Sequence, residues 1–257
     1  MGMKILGSDF DGTLTVGGIG ETKCALIRRW REAGNLFGIV SGRGTGYFRE
    51  LRERYPDLEM DFFAAYNGAV ILDGKGAVAD ATLCTEVAAA ELTAFLHGAG
   101  CPFVFVNLSD GAGGEVRFTV RREGEAAEAG ECYLSELPAA LSDFYQISVQ
   151  LKTPAEAAAV TEQVRAAYGE RLNPLQNNFC LDIVAPAVNK AFGLRRVAAL
   201  FGGVEAEIIA VGDNVNDLDM LRAFPSYAME NGVEEAKAAA KNTIASVDEL
   251  ILRELNM

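Results

Sequence analysis

The sequence is short of the residues on which most nucleophilic and metal chemistry depends. It contains one histidine, His97, in 257 residues. A histidine-based triad would need His97, and a multi-histidine metal site is impossible, so any catalysis is expected to rest on carboxylates, hydroxyls and lysine. Cysteine is also scarce: Cys24, Cys84, Cys101, Cys132 and Cys180 make an odd number with no C-x-x-C spacing. That excludes a recognisable disulfide framework or zinc site and predicts free thiols in a reducing cytoplasm. Positive charge is in deficit, with 23 Lys and Arg against 36 Asp and Glu and a formal net charge of −13. No basic cluster stands out, which argues against nucleic acid and anionic membranes as partners. Long apolar runs are missing too. None approaches a membrane span, and Met1 to Asp9 turns acidic too soon for a signal peptide. Half the residues are nonetheless apolar, enough to exclude disorder and to fill one large domain or two modest ones.

Short apolar runs and amphipathic stretches alternate at both ends of the chain. Lys4 to Phe10, Phe37 to Val40, Phe62 to Tyr66 and Ala69 to Leu72 read as strands. Thr22 to Ala33, with Leu26, Ile27 and Trp30 at helical spacing, reads as a helix, as does Tyr47 to Arg54. The tail repeats the pattern, with a helix over Lys190 to Phe201 and strands over Glu207 to Val211 and Tyr227 to Met229. The middle differs. Its strands at Phe103 to Asn107, Val116 to Arg121, Tyr145 to Leu151 and Phe179 to Val184 outnumber its helices at Glu86 to His97 and Ala155 to Tyr168. The expected architecture is a doubly wound, mostly parallel, Rossmann-like α/β core built from residues 1–80 and 188–257. An α+β cap domain, residues 81–187, is inserted between them.

Asp9-Phe10-Asp11-Gly12-Thr13 is the strongest local signal. D-x-D-G-T is expected by composition on the order of once in 10⁵ positions, and here it follows a buried strand, where open α/β sheets bind ligands. One carboxylate can attack while the other handles a proton. As a bare turn, the same residues would only cap backbone groups. Gly212-Asp213-Asn214-Val215-Asn216-Asp217 likewise follows a strand and offers hard oxygen ligands suited to Mg²⁺, or alternatively a helix N-cap. Ser41-Gly42-Arg43 offers a hydroxyl and backbone N–H groups to phosphate oxygens. Lys190 could neutralise phosphate charge, though a lone lysine is usually just solvated.

In order along the chain, these motifs resemble the haloacid dehalogenase superfamily. Asn67-Gly68-Ala69, the insertion after the third strand and Asn189-Lys190 resemble its Cof-type phosphatase branch, which carries a large cap. The resemblance implies a phosphomonoester hydrolase that uses Mg²⁺ and an aspartyl-phosphate intermediate on a small phosphorylated metabolite, a sugar phosphate in particular. Asp9 matches the nucleophile and Asp11 the general acid/base. Asp9, Asp213 and the backbone carbonyl of Asp11 match the metal ligands. Ser41, Gly42, Lys190 and Asn216 match phosphate contacts, Thr13 and Asp217 match supporting positions, and Arg43 and Asn67 are expected to reach substrate. The stretch Ala228-Met229-Glu230-Asn231-Gly232 departs from the family's Ala-Met-Gly-Asn-Ala by an added acid. A phosphosugar mutase, which would use cap cations such as Arg117, Arg121, Arg122, Lys152, Arg165 and Arg171 for a second phosphate, stays open, as does a non-catalytic metabolite-binding module. Oligomeric state is not legible.

Overall fold

A computed structural model describes residues 2–111, 114–138, 142–203 and 206–256. The chain opens with β1 (Lys4–Ser8), α1 (Glu21–Glu32), β2 (Leu36–Val40), α2 (Gly46–Arg54), β3 (Phe62–Ala65), β4 (Val70–Asp73) and β5 (Val78–Ala81). It continues through α3 (Ala89–Gly98), β6 (Phe103–Ser109), β7 (Glu115–Arg121), β8 (Glu131–Tyr133), β9 (Phe144–Gln150), α4 (Pro154–Tyr168), β10 (Asn173–Asn177) and β11 (Cys180–Val184). It ends with α5 (Lys190–Val197), β12 (Glu207–Gly212), α6 (Leu218–Ala223), β13 (Ser226–Met229), α7 (Glu234–Ala239), β14 (Asn242–Ile244) and α8 (Val247–Leu255). Two compact units result: Met1–Asp80 with Asn189–Met257, and Ala81–Val188.

The first unit is an α/β layer structure on an eight-stranded sheet ordered β14-β13-β12-β1-β2-β3-β4-β5. β1 lies parallel to both β12 and β2, and the β3–β4 hairpin is antiparallel. The strands are short apolar runs because helices cover both faces. Ile5, Val40, Phe62 and Ala210 pack with Ala191, Leu194 and Val197 of α5 and Met220 of α6. Their neighbours Leu6, Phe37 and Ile39, also fully buried, alternate to the other face, where α1 packs on β2 and on α8. From β1 the chain winds one way to β2 and β3; after its return it winds the other way from β12 to β13 and β14. The carboxyl ends of β1 and β12 therefore flank the topological switch point, where the departing loops diverge and leave a crevice.

The second unit has its own six-stranded sheet, ordered β10-β11-β9-β6-β7-β8. Its pairs are antiparallel except β7 with β8. Leu92 and Leu96 of α3, Val160 and Val164 of α4, and Val104, Val106, Ile147, Val149 and Ile183 of the strands are buried. All five cysteines are free thiols. Among the described residues no helix is long and apolar enough to cross a membrane.

Candidate active site

β1 stops at Ser8, and the backbone N–H of Asp9 extends the β1–β12 ladder by one bond to the Val211 carbonyl at 2.9 Å. The chain then folds into an irregular turn, Phe10–Leu14, broken by Asp11 and by Gly12 at φ +79°. A side chain at position 12 would be strained at that φ, and its Cβ would come within 2.5 Å of an Asp213 carboxylate oxygen. The sharp turn lets the loop lie against the one that follows β12. Thr13 Oγ1 closes the contact by donating to Asp213 Oδ1 at 2.6 Å.

Lys190 opens α5 and is fully buried. Asn189 caps the helix, its side chain accepting from the Phe192 N–H at 2.8 Å. The helix can lie this close because Gly68 and Gly193 face each other; a Cβ on Gly68 would meet the Gly193 backbone at 2.8 Å. Lys190 Nζ donates to Asp9 Oδ1 and to Asp217 Oδ1, both at 2.5 Å. The other oxygen of Asp217 accepts from the N–H groups of Asp213 and Asn214, at 2.8 and 3.0 Å. Asp217 therefore ties the Asp213 loop to Lys190, and its carboxylate is spent in doing so.

Electrostatics explain why these groups cluster. Burial works against the Lys190 charge, but Asp217 and Asp9 outweigh it and hold the ammonium well above the ordinary lysine value. Burial pushes Asp9 well above the usual carboxylate range, with Lys190 pulling the other way and Asp217 and Asp213 adding to the rise. Burial also raises Asp213, against the hydrogen bond from Thr13. Oxygens of Asp9, Asp213 and Asp217 lie within 4.8 Å of one another. Three carboxylates face one ammonium, an excess of negative charge on hard oxygen donors. That donor set fits a small divalent cation such as Mg²⁺.

Ser41 and Arg43 follow β2. Ser41 is buried, its N–H bonded to the Ala64 carbonyl at 2.9 Å, and its Oγ accepts from the Arg43 N–H at 3.2 Å. Gly42 lies between them in the same loop. Asn216 sits in the half-exposed turn before Asp217. Asp11 stands apart from the buried cluster; its side chain is 59% exposed and pairs with Arg43. Asn67, expected to reach substrate, has a fully buried side chain. Asn67 instead takes a left-handed turn at φ 55° and donates its N–H to the Ser41 carbonyl at 2.8 Å, bracing that loop.

Two supporting residues were not anticipated. Asn231 Nδ2 donates to the Gly12 carbonyl at 2.8 Å. Buried Lys23 donates to the carbonyls of Leu14 and Val16 at 2.6 and 2.7 Å, tying down the far end of the Asp9 loop. An Asn-Gly pair after a strand hints at the first; a lysine in an amphipathic helix carries no signal of the second.

Fold and site together define a hydrolase with a doubly wound α/β core and a carboxylate-rich site at the switch point. The sequence profile of the haloacid dehalogenase-like hydrolases matches residues 6–250, and the chain belongs to that family. It is 27% identical to the 5-amino-6-(5-phospho-D-ribitylamino)uracil phosphatase YbjI of Escherichia coli, over 94% of this chain and 90% of that one. A haloacid dehalogenase-like hydrolase from B. subtilis superposes with a TM-score of 0.78 at 20% identity, over 98% of both chains. The subclass IIB sugar phosphatase BT4131 superposes at 0.74 with 20% identity, over 98% of this chain and 97% of that one. Phosphomonoester hydrolysis fits this company.

Proposed function

We propose that the protein is a magnesium-dependent phosphatase acting on a small phosphorylated metabolite, a sugar or sugar-alcohol phosphate, through an aspartyl-phosphate on Asp9. The observation that carries this reading is the buried Asp9–Lys190–Asp217 chain beside Asp213 at the switch point. Asp9 and a phosphate repel each other, and Lys190 offsets that repulsion while holding the attacking carboxylate in place. Asp9, Asp213 and the Asp11 carbonyl would hold Mg²⁺, which when bound supplies further positive charge to the phosphoryl oxygens. Ser41, the Gly42 N–H and Asn216 would orient the phosphate.

An Asp9 oxygen attacks phosphorus, the bond from phosphorus to the ester oxygen breaks, and Asp11 gives its proton to the departing alkoxide. Water then attacks the same phosphorus, Asp11 takes back a proton, and the Asp9–phosphate bond breaks to release inorganic phosphate. The substrate class follows the phosphoribityl and sugar phosphates named for the relatives. A mutase is less favoured. Arg117, Arg121, Arg122 and Arg165, four of the six cap cations open to a second phosphate, each pair with a nearby glutamate.

The test is a panel of phosphorylated sugars and polyols assayed with Mg²⁺ and after chelation, for the parent and for Asp9→Asn. Turnover should need Mg²⁺ and vanish in the variant. Full activity after chelation, or in Asp9→Asn, would refute the reading.

A further inference from the structure

The connection between β13 and α7 holds none of the proposed catalytic groups, yet it touches both of the loops that carry carboxylates into the site. Asn231 is exposed, and its Nδ2 donates to the Gly12 carbonyl at 2.8 Å. Two residues on, the Val233 N–H donates to the Asp213 carbonyl at 2.9 Å. Gly232 lies between them against the Asp213 backbone, where a Cβ would meet that same carbonyl at 2.7 Å. Residues 231–233 thus bridge the Asp9 loop and the Asp213 loop from outside the carboxylate cluster.

Gly12 is held at both of its polar backbone atoms. Its N–H donates to Thr15 Oγ1 at 3.1 Å, and its carbonyl accepts from Asn231. Glycine has the widest backbone freedom of any residue, so these bonds supply an order that the residue lacks by itself. The Gly12 N–H also shares a rigid plane with the Asp11 carbonyl. Holding Gly12 therefore sets where that carbonyl points.

The two loops have a reason to separate. Oxygens of Asp9, Asp213 and Asp217 lie within 4.8 Å of one another, and like charges so close repel until a cation neutralises them. Mg²⁺ demands near-octahedral geometry. A site that must first be ordered binds its ligand more weakly than one already in place. We propose that Asn231 is a positioning residue for the metal: its bond to Gly12 keeps the Asp11 carbonyl and the Asp213 carboxylate in register before the cation arrives. The inference rests on the phosphatase reading above, with Mg²⁺ held by Asp9, Asp213 and the Asp11 carbonyl.

Calorimetric titration of Mg²⁺ into the metal-free protein is the test. Without the Asn231 donor the metal-free loop relaxes, and Mg²⁺ must order it again on binding. Asn231→Ala should therefore bind Mg²⁺ about three- to tenfold more weakly, the net worth of one hydrogen bond. Because the side chain is exposed, the metal-free melting temperature should change little. Asn231→Ser, whose hydroxyl is too short to reach the carbonyl, should match Asn231→Ala. With p-nitrophenyl phosphate as substrate, both variants should need more Mg²⁺ for half-maximal turnover and should regain the parent kcat at saturating Mg²⁺.

Unchanged Mg²⁺ affinity in both variants overturns the inference, whatever the melting temperature does, because the bond would then serve the fold alone. Loss of the circular dichroism of the folded protein in both variants overturns it for the same reason. A kcat that stays depressed about tenfold at saturating Mg²⁺ also overturns it, since Asn231 would then act on a step other than metal binding. If the parent binds no Mg²⁺, the magnesium-dependent reading falls and takes the inference with it. A parent that binds Mg²⁺ and loses that binding in Asp213→Asn leaves any fault with Asn231 alone.

Discussion

Lys190 occupies an environment that an ammonium enters only when paired. It is fully buried, with Asp9 and Asp217 each 2.5 Å from its Nζ. Removing one member of a buried ion pair leaves the other charges without compensation, at about 3–5 kcal/mol. Lys190→Met should therefore lower the unfolding free energy by about that much in urea titrations at neutral pH. Mg²⁺ should recover part of the loss by binding the stranded carboxylates. A drop well under 1 kcal/mol would mean that the three groups are not coupled as the distances indicate. In sequence, Lys190 is only a lysine at a helix start, like many that are solvated. It becomes a candidate through the order of the surrounding motifs, not through any property of its own. Lys23 shows the converse: equally buried, it has no motif around it, and only the folded chain reveals that it holds the loop carrying Asp9 and Asp11.

Secondary-structure elements differ in how openly they announce themselves. Central strands such as β1 and β12 are buried on both faces, so they are short apolar runs with a sharp polar end, legible without a structure. β8 and β10 are not. Glu131–Tyr133 and Asn173–Asn177 lie at the two edges of their sheet, where a strand need not be apolar and where Pro174 is tolerated. The helix expected from Glu86 begins instead at Ala89, since boundaries depend on local capping more than on periodicity. α3 also carries the single histidine. His97 is buried and its Nε2 lies 3.2 Å from the Val120 carbonyl of β7. Burial lowers its pKa; the Val120 carbonyl and the carboxylates of Glu125 and Glu123 oppose this, while Arg122 adds to it. A base with a lowered folded pKa binds fewer protons folded than unfolded. Its contribution is present above the unfolded value, near 6.5, and is lost as pH falls through the folded value. The melting temperature should drop between pH 7.5 and pH 5 by more in the parent than in His97→Gln, measured by near-ultraviolet circular dichroism. Parallel curves would show that His97 is not a source of the acid sensitivity.

At the scale of the whole chain, the two units are built asymmetrically. Among the described residues, Ala81–Val188 is continuous and has its own six-stranded sheet, two α-helices and a buried apolar core. The other unit needs both Met1–Asp80 and Asn189–Met257, because β12 pairs with β1 and α5 packs on strands from the first segment. Expressed alone, residues 81–188 should fold with a cooperative thermal transition and dispersed amide resonances. Residues 1–80 alone should not fold, since three of the eight strands, β12 to β14, and the α5 cover would be missing. A fragment 81–188 that remains unstructured would show that the unit depends on the rest of the chain.

The sequence alone determined the chemistry class. The Asp9 and Asp213 motifs, each at the end of a buried run, state which atoms are available and that they lie at strand ends. It also led to the expectation of an interrupted core with an insertion at residues 81–187, because the strand and helix pattern changes character in the middle of the chain. Only the tertiary structure decided the partnerships: that Asp217 is consumed by Lys190 and two backbone donors, that Asn67 is sealed inside, and that Arg43 turns toward Asp11. The physical reason is separation. Asp9 and Lys190 meet across 181 positions of chain and Asp11 and Arg43 across 32, and no local pattern records which of two distant polar groups will find the other once water is excluded.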